Sequence, residues 1–237
     1  MYHTKHIYHH DEHELHGYLA YTEKDDQPKP AVLIVHDWSG QNEFVQQKAQ
    51  IFAELGYVGF AVDMYGQGKN VKKNEEKKAL MEPLLHDRLL LRTRIRAAFE
   101  TLCALPEVNR KKIAVIGYCF GGLCALDLAR SGAEIKGAIS VHGLLNPPKD
   151  LPNQTIEAKI LALHGAEDPM VPPAMLEGFY QEMTAAKADW QVHIFGQTKH
   201  AFTNPNAHDT DLGLIYSAHA ARRSTQLIDS FLEEIFG

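Results

Sequence analysis

The chain has 237 residues, 45% of them hydrophobic and 23% charged, enough apolar content to build a sizeable core. A formal net charge of −6 argues against nucleic acid or an anionic membrane surface as partner, since either would ask for a basic face. Its 3 cysteines suit reduced thiols better than a disulfide framework. No apolar leader opens the chain, and no run of about 18 apolar residues spans a bilayer. The expectation is one cytoplasmic domain over 1–237 with no membrane contact, a monomer or small homo-oligomer.

The N-terminal IYHHDEHELHGYLAYT (7–22) reads as two strands joined at Asp11-Glu12. Its histidines, with His3 and His6 before them, are expected on a solvated face. The region holds no cysteine and no closed ligand set, so no metal is expected there. Next come short apolar runs of similar design: 31–37, 57–63, 112–118, 135–143, 159–165 and 190–196. Runs this short, buried on both faces, suit a parallel sheet.

Helical patterns alternate with them. Segment 43–56 spaces Phe44, Ala49, Phe52 and Leu55 along one face and stops at Gly56. Segment 83–105 reads as one long amphipathic helix ending before Pro106, and 120–132, 173–188 and 215–236 complete the set. The lysine-rich 69–78 reads as a solvated loop or helix start, and 144–158 as an irregular connection. This alternation predicts an α/β fold, a doubly wound and mostly parallel sheet with helices on both faces.

In such sheets ligands bind beyond the carboxyl ends of the strands. Those ends supply Asp37-Trp38, Tyr65, Cys119-Phe120, His142, Asp168 and His200-Ala201-Phe202. Cys119 sits in Gly117-Tyr118-Cys119-Phe120-Gly121-Gly122, where a strand passes abruptly into a helix. Glycines there avoid the Cβ clashes of so tight a turn. Two readings compete: a small buried residue in a glycine turn, or a thiolate favoured by a helix N-terminus. Asp168 after one strand and His200 after the next supply an orienting acid and a base, in the order nucleophile, acid, histidine. Asp150 is the alternative acid. Cys124 and Cys103 read as core. His36, His142 and His164 also end strands, where packing is preferred over a metal site with His200.

GYCFGG, HGAEDPMVP and the late HAF resemble the dienelactone hydrolase family, and the likeness runs almost end to end. It implies the α/β-hydrolase fold, Cys119 as nucleophile, Asp168 as acid and His200 as base, with no cofactor and no metal. It further implies an acidic residue, here Asp37, that contacts the resting cysteine, and an oxyanion hole from the backbone N–H groups of Phe120 and Trp38. In the prototype an arginine shortly after the histidine holds a substrate carboxylate; here Asn204 stands in that place. Arg88 and Arg92 are candidates for a second arginine. Tyr65, Phe202, Asn204 and His142 are expected near the pocket.

The expected activity is hydrolysis of a small-molecule ester, lactone or related activated acyl compound through a thioester acyl-enzyme. A thioesterase and a ligand-binding protein on an inactive hydrolase scaffold are the alternatives. A redox role for Cys119 lacks an evident resolving cysteine.

Overall fold

The computed structural model describes residues 1–22 and 27–237. Its main sheet is built from β1 (Tyr2–His10), β2 (His13–Tyr21), β3 (Lys29–Val35), β4 (Val58–Val62), β5 (Val108–Tyr118), β6 (Gly137–Val141), β7 (Lys159–Gly165) and β8 (Trp190–Phe195). The strand order is β1-β2-β4-β3-β5-β6-β7-β8. Strands β4, β3, β5, β6, β7 and β8 pair in parallel, while β1 and β2 add an antiparallel edge.

Five of the six apolar runs become central strands because both of their faces are covered; the sixth, 190–196, forms the edge strand β8, where Gln191 and Ile194 are exposed because, among the described residues, no further strand flanks it. Along β3, Ala31, Leu33 and Val35 point into one core and Val32 and Ile34 into the other. Helices α1 (Glu43–Glu54) and α6 (Ala218–Phe236) cover the second core through Val45, Ala49, Phe52, Ile228, Phe231 and Leu232. Helices α3 (Arg88–Cys103), α4 (Phe120–Arg130) and α5 (Pro173–Ala185) cover the first. Leucine-sized side chains buried this fully contribute about 1.5–3 kcal/mol each relative to exposure.

The expected single helix over 83–105 is two helices. Helix α2 (Asn74–His86) ends at Asp87, whose backbone leaves the helical region with φ −105 and ψ 88. The Asp87 carboxylate then accepts the Leu90 N–H at 2.8 Å and caps α3. A free amide donor at a helix start is expensive to leave unpaired, and aspartate satisfies it well. The lysine-rich stretch runs as a loop to Lys73 and enters α2 at Asn74.

The last helix also begins later than its pattern suggested. Ser217 caps it by accepting the Ala220 N–H. The preceding residues form a small ribbon, β9 (His208–Asp209) against β10 (Leu214–Ile215).

The N-terminal hairpin turns at Asp11 and Glu12 as expected. Its histidines do not share one solvated face. Period-two alternation exposes His3 and His9 and half-buries His6 and His10, with His6 edge-on to Phe60. Among the described residues, no helix is long and apolar enough to cross a membrane.

Candidate functional site

The parallel strands deliver their carboxyl ends to one edge of the sheet, where an open cavity of about 710 Å³ lies. Cys119 is at its floor, between β5 and α4, and is partly exposed. Its backbone takes φ 56 and ψ −116, a left-handed conformation that an L residue holds only when its surroundings over-determine it. The surroundings do so. Cys119 N–H donates to Val141 O at 3.0 Å, and Gly122 N–H donates to Cys119 O at 3.0 Å.

The glycines permit the approach of chain to chain. A Cβ on Gly117 would lie 1.8 Å from Gly121 O, and one on Gly121 would lie 2.3 Å from Val35 O. The turn therefore pins the head of α4 against β3, with Cys119 at its apex. Cys124 is fully buried, as the core reading expects, while Cys103 is half-buried at the margin of the core; burial pushes both thiols up.

His200 follows β8 and is wholly buried. Its Nδ1 meets Asp168 Oδ2 at 2.7 Å, while Asp168 Oδ1 accepts the Met170 N–H at 2.8 Å. The small ribbon fixes the backbone of His200: its N–H donates to Gly213 O and its carbonyl accepts from Ile215 N–H, both at 3.0 Å. Nε2 makes no well-aligned hydrogen bond. Burial works against the charged ring, yet the nearby Cys119 and the hydrogen bond to Asp168 outweigh it and raise the ring to about 10. The sulfur and the imidazole are therefore neighbours without an aligned hydrogen bond between them, as is common before substrate binds. Asp150 lies in the exposed 150–155 connection, so the acid that reaches His200 is Asp168.

Asp37 and Trp38, just after β3, share the chamber with Cys119. The Asp37 carboxylate is gripped on Oδ1 by Ser39, through its N–H at 2.8 Å and its hydroxyl. Among the described residues, the backbone N–H groups of Trp38 and Phe120 have no acceptor within the protein.

Of the four pocket candidates, His142 and Asn204 line the chamber. Tyr65 and Phe202 do not. Tyr65 packs behind Trp38, donating its hydroxyl to Trp38 O at 3.1 Å and stacking on Phe120 with centroids 5.8 Å apart. Phe202 is fully buried between His142 and Phe195. Both aromatic bodies are better removed from water than left on a wet wall.

Arg88 and Arg92 are likewise elsewhere. Arg88 holds the buried Asp127 in a two-pronged contact, Nε–Oδ2 2.8 Å and Nη2–Oδ1 2.7 Å. Arg92 donates to Pro152 O at 3.3 Å and Asn153 Oδ1 at 3.1 Å, bracing the 144–158 connection. The lysines that face the chamber are Lys72 and Lys77, from the stretch read as a solvated loop or helix start. Lys77 Nζ lies 4.9 Å from the Trp38 ring centroid, an attraction worth about 0.5–1 kcal/mol at a wet site.

Two buried histidines gain a structural explanation. His36 accepts the Met64 N–H on Nε2 at 3.1 Å and directs Nδ1 at Asp37 O at 2.6 Å, which fixes its tautomer. Burial holds it neutral, against smaller opposing effects of Asp37 and Asp63. His142 bonds Thr203 Oγ1 through Nε2 at 2.8 Å and stands edge-on to His200, with centroids 5.2 Å apart. Burial first, and then His200, hold it well below the usual range. Sequence reasoning missed Thr203; its place three residues after His200 was the available signal. Among the described residues, no three His, Cys, Asp or Glu side chains converge as metal ligands.

The model of the dienelactone hydrolase family matches residues 15–236. The chain belongs to that family. A solved "dienelactone hydrolase-like promiscuous phosphotriesterase" from metagenomic libraries is 32% identical, with TM-score 0.95, covering 100% of this chain and 99% of that one. A Yersinia pestis protein named "Putative carboxymethylenebutenolidase" is 26% identical over 232 residues, 93% of this chain and 84% of the relative. A Bradyrhizobium protein named "Probable 2-oxo-3-(5-oxofuran-2-ylidene)propanoate lactonase" is 27% identical over 183 residues, 73% of each chain. This member of the dienelactone hydrolase family is an α/β-hydrolase-fold enzyme.

Proposed function

We propose that the protein hydrolyses small carboxylic esters and lactones through a thioester at Cys119, with His200 as general base and Asp168 as its orienting acid. One observation carries the reading: the buried His200–Asp168 pair, at 2.7 Å, stands beside a strained Cys119 turn in one open chamber. The names of the lactonase and butenolidase relatives support the substrate class.

In the reaction, the Cys119 thiolate attacks the acyl carbonyl and His200 keeps the proton. The oxyanion forms against the N–H groups of Phe120 and Trp38, each worth roughly 3 kcal/mol by comparison with other hydrolases. The tetrahedral adduct then expels the alkoxide, which takes its proton from His200. Water, deprotonated by His200, attacks the thioester, and collapse returns Cys119 with release of the acid. Asp168 holds Nδ1–H and stabilises the imidazolium. Asp37 modulates the nucleophile, since a carboxylate nearby opposes a second negative charge. A thiolate leaves more readily than an amine, so esters, lactones and thioesters suit this site better than peptides.

The test is a panel of activated esters, lactones, thioesters and one phosphotriester, the last included because of the solved relative named for that activity. Wild type is expected to show an acyl adduct on Cys119 by mass spectrometry, and Cys119→Ala to lose both adduct and turnover while keeping its fold. Full hydrolysis by Cys119→Ala would overturn the proposal.

A further inference from the structure

The two walls of the chamber above Cys119 carry polar groups that the protein itself leaves partly unused. Asn70, Asn74 and Lys77 stand on one wall, and Asn204, Asn206 and Asp209 on the other. Among the described residues, the side-chain amides of Asn70 and Asn206 have no partner. Asn74 Oδ1 accepts from Lys77 Nζ at 3.3 Å, which leaves its N–H groups free. Asn204 Oδ1 accepts the Asn206 N–H at 2.9 Å and is otherwise in the same position. Asp209 Oδ1 accepts the backbone N–H groups of Asp211 and Leu212 at 3.1 and 3.0 Å, and Oδ2 remains open.

An alkyl chain entering this space would strip water from those amides and give nothing back, at about 1–3 kcal/mol for each group left unpaired. A hydroxyl is both donor and acceptor, so it matches an amide, which offers N–H and C=O from one side chain. The charges on the walls argue against an anion. The two lysines of the lining, Lys72 and Lys77, are outnumbered by its three carboxylates, Asp37, Glu43 and Asp209.

We infer that the preferred substrate is a neutral, polyhydroxylated lactone or ester, with its hydroxyls bound between the asparagines of the two walls and its acyl carbonyl over Cys119. This rests on the ester and lactone hydrolysis proposed above. Lys77 sits over the Trp38 ring and so keeps its wall close to the predicted oxyanion donor.

The experiment compares δ-gluconolactone with δ-valerolactone, a ring of the same size without the hydroxyls. Each kcat/KM is divided by the lactone's own hydroxide-catalysed rate, which removes intrinsic reactivity. Wild type is expected to favour the hydroxylated ring by about tenfold or more, the equivalent of at least one good hydrogen bond. Asn206→Leu and Asn70→Leu are each expected to shrink that ratio by about fivefold. Both lactones are assayed on one preparation, so any loss of folded protein cancels from the ratio. A wild-type ratio near one, or a ratio that neither variant changes, overturns the inference. So does turnover of long alkyl esters with no turnover of either lactone. Persistent hydrolysis by Cys119→Ala would instead defeat the thioester mechanism and leave the preference ratio standing as a separate result.

Discussion

Acidification from pH 7 to pH 5 is expected to destabilise this protein through His36 and His142. Both rings are buried, and burial holds both below their ordinary value of 6.5. Such groups contribute stability above the unfolded value, and that contribution is lost as pH falls, because the unfolded chain takes up protons that the folded one refuses. A ring that stays neutral to pH 5 costs at most about 2 kcal/mol over this interval, so the two together cost at most about 4 kcal/mol. His200 acts in the opposite sense. Its folded value is raised to about 10, so its stabilising contribution is complete below 6.5 and is lost as pH climbs through 10. It returns about 1 kcal/mol between pH 7 and pH 5, so these three rings together leave a net loss of at most about 3 kcal/mol.

The assay is urea denaturation at the two pH values, for wild type and His142→Asn. Asparagine tolerates the positive φ of 40 at this position and does not titrate. The variant should lose about 2 kcal/mol less than wild type on acidification. Equal wild-type stability at both pH values, or an unaltered pH dependence in His142→Asn, would refute the reasoning.

Two further outcomes follow from packing. Gly121→Ala would place a methyl 2.3 Å from Val35 O and 2.6 Å from His36 O, both backbone atoms that cannot swing away. A loss of about 3 kcal/mol or more in the urea midpoint is expected, and an unchanged midpoint would contradict the close approach. Asp127→Asn would remove the charge that Arg88 holds at 2.7 Å and Arg130 at 3.2 Å, all three side chains being buried. A cost of about 3–5 kcal/mol in thermal or chemical unfolding is expected, and a neutral result would overturn this reading.

Much of the fold and the core of the candidate site were legible in the sequence. Short apolar runs announced the parallel strands, because a strand buried on both faces needs no polar alternation. The turn at Cys119 was legible because only glycine tolerates the contacts at 117 and 121. Asp168 and His200 could be named because each closes a strand pattern, and in a parallel sheet all such ends come to one edge. These signals are local: a few neighbouring residues carry each one.

What the tertiary structure decided was the destination of side chains whose partners are distant in the chain. Arg88 looked as available for a substrate as for an open helix surface until Asp127, 39 residues on, claimed it. Tyr65 and Trp38 are both aromatics beyond strand ends, yet one became the support and the other the wall. The break at Asp87 was hidden because the apolar spacing continues through it and only the cap reveals it. The stretch 69–78, a loop that becomes the first turn of α2, gave no sign that its asparagines and Lys77 line the chamber above the nucleophile. Sequence alone therefore determined the sheet, the turn and the chemical identity of the three central residues. The structure alone determined what surrounds them, since hydrogen-bond partners and burial are properties of the packed chain and not of any short segment of it.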